Sequence, residues 1–285
     1  MTTDIYQQIT DQIIAALETG TAPWVKPWAS IGAPLNAITN REYSGINMIL
    51  LSMTTFASNA WLTFQQAKQA GGTVRKGEKG TRVVFFKPLA VEDKDSTTAE
   101  AKEKVIPMLR SFIVFNTAQI DGLPEKFTAK PHPQIDSFTD NDAAEALLSQ
   151  AIIKHNCSRA CFIPSMDEIH MPNKCDFKSI GDYYSTGLHE LTHWTGHKNR
   201  LNRDFNGRFG DTAYAFEELI AELGSSFLCA HSGIDGQLQH ASYIASWIKV
   251  LKGDKRAVFT AASAARKSTE YLTGSVAQSD EQQAA

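Results

Sequence analysis

His189-Glu190-Leu191-Thr192-His193 is the stretch that decides how this chain reads. On a helix, residues four apart lie one above the other, so both imidazoles can grip one metal ion. Glu190, beside the first histidine, then reaches a water held at an open coordination position. That is the arrangement of a zinc hydrolase with a carboxylate general base. Such a pentapeptide also arises by chance on ordinary helices, so a third ligand has to be found.

Catalytic zinc takes three protein ligands and one water. His197 follows four residues after His193, but Gly196 interrupts the helix between them. The metzincin spacing would need a histidine at 199, where Asn199 stands. Asp204 and Asp211 are further candidates, and His231 and His240 remoter ones. The strongest candidate lies in Phe216-Glu217-Glu218-Leu219-Ile220-Ala221-Glu222. Glu218 and Glu222 share one face of an otherwise apolar helix, where carboxylates are costly to bury without a cation. Glu218 is therefore expected as the ligand, and Glu222 as the acceptor for a ligand histidine's ring N–H. Glu217 is the alternative ligand, and an exposed acidic patch on a surface helix is the plain alternative.

Two histidines on one helix and a glutamate on a following one is the gluzincin scheme. It would use Zn²⁺, or another divalent ion, with Glu190 as the catalytic base. Glu168-Ile169-His170-Met171 reads as an edge strand on which an extended peptide could lie. Tyr214 and Tyr184 are the nearest hydroxyls for an oxyanion, and nothing in the chain selects between them.

Outward from the motif, 285 residues suffice for two domains or one large one. The net charge of −3 is unevenly spread. Before residue 90, Lys26, Arg41, Lys68, Arg75, Lys76, Lys79, Arg82 and Lys87 outnumber Asp4, Asp11, Glu18, Glu42 and Glu78. A basic first third suggests a polyanion partner. Cys157, Cys161, Cys175 and Cys229 fit neither a zinc-binding pair nor a disulfide framework, so they read as reduced. No signal peptide or membrane span is visible, which points to the cytoplasm.

The fold expected is α+β: a small mixed α/β domain at 1–125, a linker at 126–135 marked by Pro131-His132-Pro133, and a mainly helical zincin-like domain at 136–285. In the first domain, Ile5, Ile9, Ile13 and Leu17 predict a helix ending near Gly20, and further helices are expected over 46–56 and 63–70. Val83–Phe86 and Ser111–Asn116 predict strands, with 89–104 a hairpin tip or linker. In the second domain, Thr139 is expected to cap a helix whose stripe is Ala143, Ala146, Leu147 and Ala151. Helices are also predicted around His189, over 213–230, and on either side of Gly253-Asp254.

Single-stranded nucleic acid is held by a basic groove with aromatic faces for the bases. Trp24, Trp28 and Tyr43, interleaved with Arg41, offer such faces. The loop Arg75, Lys76, Lys79, Arg82, running on to Lys87, offers phosphate contacts that its glycines let the backbone share. The tryptophans serve equally well as core wedges, and at least one of Trp24 and Trp61 is expected to be buried.

The joint pattern is more specific than the zinc motif. Pro23-Trp24-x-x-Pro27-Trp28, Tyr43-Ser-Gly-Ile-Asn47, Trp61-Leu-Thr-Phe-x-Gln-Ala-Lys68 and Gly72-x-Val-Arg-Lys-Gly-Glu-Lys-Gly80 resemble the N-terminal domain of ArdC-type antirestriction proteins, a family related to the TraC-type plasmid primases. His189-Glu-Leu-x-His-Trp-Thr-Gly-His197 and Tyr214-Ala-x-Glu-Glu-Leu-x-Ala-Glu-Leu-Gly224 resemble its zincin-type domain. The resemblance implies a conjugative-plasmid protein that binds single-stranded DNA without marked sequence preference and shields incoming DNA from host restriction. It implies a metallopeptidase-like site at His189, Glu190, His193 and the acidic helix, and leaves no room for a primase catalytic domain. The alternatives are a DNA-targeted zinc protease that cleaves a DNA-bound host protein, and an inactive zincin fold kept as an interaction module.

Overall fold

The computed structural model describes residues 4–20, 22–24, 32–56, 58–92, 103–127, 140–204, 211–235 and 243–275. Trp28, Lys26, Thr139, His240 and the Pro131-His132-Pro133 boundary lie outside them. The architecture is mixed α+β, as the residue patterns predict.

Helix α1 (Ile5–Glu18) starts at Asp4, whose carboxylate accepts the Tyr6 N–H. It is followed by β1 (Leu35–Asn36), α2 (Ile46–Ser52), β2 (Ala60–Thr63), α3 (Phe64–Gln69), β3 (Thr73–Val74), β4 (Thr81–Glu92), β5 (Glu103–Asn116) and β6 (Ile120–Asp121). A four-stranded sheet runs β1-β2-β5-β4, with β1 parallel to β2 and the other pairs antiparallel. β3 and β6 form a separate pair.

The β4–β5 hairpin outruns the expected strands. Its register continues to Glu92↔Glu103, so 89–92 and 103–104 are ladder rather than linker. Pro88 hides this in the sequence, because proline ordinarily demotes a strand. Here Pro88 faces Pro107 across the ladder. Both missing N–H groups fall on one rung, and the pairing survives on either side.

The second half carries α4 (Asp142–Leu148), β7 (Ile152–Lys154), β8 (Cys161–Ile163), β9 (Glu168–His170), α5 (Ile180–Thr195), α6 (Thr212–Ser232), α7 (Ile244–Gly253) and α8 (Ala257–Thr273). Asn141 caps α4 through the Ala144 N–H. That start turns the buried stripe to Ala144, Leu147 and Leu148 and leaves Ala143 and Ala146 exposed, against expectation. The small sheet runs β7-β9-β8. β9 is therefore its centre, not the edge its sequence suggested.

The two halves share one core. Ile9, Ile13 and Leu17 of α1 and Ile46 and Ile49 of α2 belong to the same apolar cluster as Leu191, Leu219, Trp247, Val258 and Ala262. Polar contacts reinforce the seam. The Thr10 hydroxyl donates to the Lys255 carbonyl at 2.8 Å, Lys255 pairs with Asp4 at 2.6 Å, and the rings of Tyr6 and Phe259 meet edge to face. A smaller cluster of Tyr43, Leu51, Trp61, Val83, Phe85 and Val114 fills the other side of the β4–β5 ladder.

Candidate metal centre and its surroundings

Ser179 caps α5 by accepting the Asp182 N–H, and sixteen helical residues follow. One turn apart near its end, His189 and His193 bring their Nε2 atoms to 3.2 Å. α6 packs alongside and delivers Glu218, whose oxygens lie 3.6 Å from each Nε2. This packing is close because α6 carries Gly224 against the metal helix. A Cβ there would lie 2.6 Å from Thr192 Oγ1 and closer still to its Cγ2.

His189, His193 and Glu218 are the one group of three such side chains, among the described residues, with donor atoms within 4.8 Å of one another. A tetrahedral ion with bonds of about 2.0–2.2 Å places its donors about 3.3–3.6 Å apart. The three observed separations bracket that range, so the donor set fits a divalent cation.

Glu217, the alternative ligand, stands behind the site instead. Its Oε1 is 3.0 Å from His193 Nδ1. Burial would raise the Glu217 carboxyl, but hydrogen bonds from His193 and Arg203 outweigh it and hold the group below the usual carboxylate range. An ionised carboxylate only accepts, so His193 Nδ1 carries the proton and Nε2 is turned to the site. Burial would lower the imidazole pKa, but Glu217 and Glu218 push His193 up to about 10 in the absence of metal. Glu218, drawn up by burial and down by both histidines, ends well below the usual range. Glu222 is buried one turn beyond. The acceptor that His193 uses is Glu217, which is the difference from the expectation.

Arg203 closes the arrangement from behind. Its guanidinium donates to Glu217 (2.9 Å), to the Thr192 carbonyl (2.6 Å), and to the hydroxyls of Thr195 (3.0 Å) and Ser268 (2.9 Å). One side chain thus ties the loop after α5 to α5, α6 and α8. Sequence spacing gave no sign of it, because its partners are scattered over 76 residues, from Thr192 to Ser268.

Glu190 lines the same cleft, of about 490 Å³, and its Oε2 accepts the Phe162 N–H at 2.8 Å. The edge strand beside the site is therefore β8, not the Glu168–Met171 stretch. Tyr214 and Tyr243 also line the cleft, with hydroxyls 3.3 Å apart. Burial, then the Tyr243 hydroxyl and Glu218, raise the Tyr214 pKa, so its hydroxyl stays a donor. Tyr184 is excluded, because its hydroxyl is spent on Glu145 at 2.7 Å. Tyr243, missed in the sequence, arrives from α7's start. Of the other ligand candidates, Asp204 lines the cleft, Asp211 caps α6 through the Tyr214 N–H, and the buried His197 accepts from the Asn199 N–H through Nδ1.

The basic–aromatic constellation is partly dismantled. Trp24 is 1 % exposed against Trp247, and Tyr43 is 2 % exposed in the smaller core. Neither can stack on a base, because packing has taken both ring faces. Arg75 spends its guanidinium on Glu78, Asp121 and the Ala118 carbonyl, and Arg82 donates to Gln8. Lys76, Lys79 and Lys87 are exposed, and Arg41 is half-buried. In the first half, the large aromatic rings that face solvent among the described residues are Phe64 and Phe86.

Fold and site together define a zincin-like metallopeptidase domain joined to a smaller mixed domain. Two family models divide the chain accordingly. One, described as the N-terminal domain of anti-restriction factor ArdC, matches residues 3–115; the other, a zincin-like metallopeptidase, matches 142–264. The chain belongs to the ArdC-type antirestriction family. The metal-free crystal structure of the antirestriction protein ArdC from plasmid R388 is 43 % identical, covers 95 % of this chain and 97 % of that one, and superposes with a TM-score of 0.80. Its Mn(II)-bound form gives 42 % and 0.75, with the same coverage. The y4eC protein of Sinorhizobium fredii is 36 % identical over 95 % of this chain and 92 % of its own. A DNA primase TraC of Escherichia coli is 38 % identical over 94 % of this chain, which spans 27 % of the primase. No described helix is long and apolar enough to cross a membrane.

Proposed function

We propose that this is a cytoplasmic, single-stranded-DNA-binding antirestriction protein of a conjugative plasmid, which shields incoming DNA from host restriction and carries a zinc-dependent metallopeptidase site. The observation that carries the reading is the likeness to R388 ArdC along both domains. His189, His193 and Glu218 would hold the ion. When bound, a divalent ion supplies Lewis acidity and a water of lowered pKa. Glu190, fixed by the Phe162 N–H, takes the proton of the attacking water and returns it to the leaving amine. Tyr214 and Tyr243 remain protonated and donate to the developing oxyanion. An extended peptide would lie along β8, the edge strand beside the site.

Two other readings give different outcomes when Glu190→Gln is scored for protection of incoming DNA and for proteolysis, and the purified protein is assayed for metal and for its response to chelation. Protection that survives the substitution supports shielding by DNA binding. Protection lost together with cleavage favours a protease delivered to DNA-bound host proteins. Purified protein that contains no metal, and that chelation leaves unchanged, favours an interaction module.

A further inference from the structure

A second cavity, of about 550 Å³, lies where the two halves meet. Tyr6 of α1, Phe86 of β4, Arg203 of the loop after α5, and Arg256, Phe259 and Lys267 in and beside α8 wall it. Three of these are cationic, and no acidic side chain among the described residues lines it. Arg203 is spent on Glu217, but Arg256 and Lys267 are exposed and make no ion pair with any described residue. Arg256 rests its guanidinium over the Tyr6 ring at 5.0 Å, which fixes it at the rim without neutralising it.

Phe86 is the other unusual member. It is 48 % exposed on a strand whose preceding residues Val83, Val84 and Phe85 are all buried. Arg82 lies four residues earlier on the same face of β4, about 14 Å away at ordinary strand rise. From there the face leads back to the loop bearing Lys76 and Lys79. A half-exposed ring beside two unneutralised cations is the pairing that single-stranded nucleic acid requires, with phosphates on the charges and a base on the ring. A lone exposed phenylalanine or lysine is ordinary surface. Their convergence in a concave site without any carboxylate is not.

We propose that the groove between the two halves seats single-stranded DNA, with phosphate on Arg256 and Lys267 and a base against Phe86. This rests on the DNA-binding function proposed above, but it moves the contact from the N-terminal domain alone to a surface that needs both halves.

The test is fluorescence anisotropy with a labelled oligo(dT) on the full chain at several salt concentrations. Variants are Arg256→Gln with Lys267→Gln, Phe86→Ala, and, as a separate arm, Lys76→Gln with Lys79→Gln. All these side chains are exposed, so unchanged thermal melting verifies the fold of each variant. Removing two phosphate contacts should flatten the logarithmic salt slope by about 1.4. Removing one stacked base should weaken binding about 5- to 150-fold. If the wild-type chain binds no oligonucleotide, the DNA-binding function itself fails. If wild type binds and the groove variants match it, only the groove assignment is overturned. The groove assignment fails likewise if poly-glutamate displaces the oligonucleotide at equal charge concentration, because the site would then be reading charge alone.

Discussion

Replacing Glu217 removes the acceptor shared by His193 and Arg203, and its two consequences can be measured apart. Glu217 is 7 % exposed, and the side chain of Arg203 11 %. Glu217→Ala would take the Glu217 carboxylate from a buried guanidinium that also donates to the Thr192 carbonyl and the Thr195 and Ser268 hydroxyls. Losing one partner of a buried ion pair costs about 3–5 kcal/mol. For a chain of this size, with an unfolding entropy of about 0.6 kcal/mol/K, that lowers Tm by about 5–8 °C. Separately, His193 loses the acceptor that fixes its tautomer and ring orientation, which costs about 10–100-fold in metal affinity. The double variant Glu217→Leu, Arg203→Met separates the two effects. Filling the space with apolar groups should recover most of the stability, while the deficit in metal affinity persists. Thermal melts of the metal-free protein and titration of metal against a competing chelator measure each quantity. The reasoning is refuted if the double variant recovers both together, or if Glu217→Ala leaves metal affinity within about threefold of wild type, well short of the loss expected for such a partner.

Gly224→Ala gains helix propensity but drives a methyl into buried Thr192; a net loss of about 1–3 kcal/mol in chemical denaturation is expected. The metal-free protein should lose stability at both ends of the pH range. The carboxyls of Glu217 and Glu218 are depressed, so their contribution is complete above the ordinary carboxylate pKa and disappears as pH falls through the folded values. His193 is raised to about 10, so its contribution is complete below about 6.5 and is gone once pH has risen past 10. A flat Tm between pH 6.5 and 10 would refute the alkaline limb. A fragment of residues 1–125 should melt without cooperativity, because Ile9, Ile13, Leu17, Ile46 and Ile49 pack in a core that also needs Leu191, Leu219, Trp247, Val258 and Ala262 from the second half; a sharp calorimetric transition would contradict this.

What was legible in the sequence is what repeats locally. The 3.6-residue period of α1, α5, α6, α7 and α8, and the i, i+4 histidines, depend only on neighbours along one helix. Glu218 was legible for a related reason, since a carboxylate inside an apolar stripe signals its own need for a cation. Arg203, Tyr243 and the choice of Glu217 over Glu222 depend on how α6, α7 and α8 rotate against α5, and no window along the chain carries that information. Trp24 and Tyr43 misled because an aromatic ring among prolines and arginines has the same local pattern whether its face meets a base or another ring. Strand length failed at Pro88 because its opposite number, Pro107, is nineteen residues away.

The tie from Ser268 to Thr195 and Arg203 also bears on the order of events during synthesis. The candidate ligands have all been polymerised once residue 218 is made, but the helix that completes the support behind them arrives fifty residues later (268 − 218). At about 5–20 residues per second, this leaves the growing chain about 3–10 s in which the ligand side chains exist without their full backing.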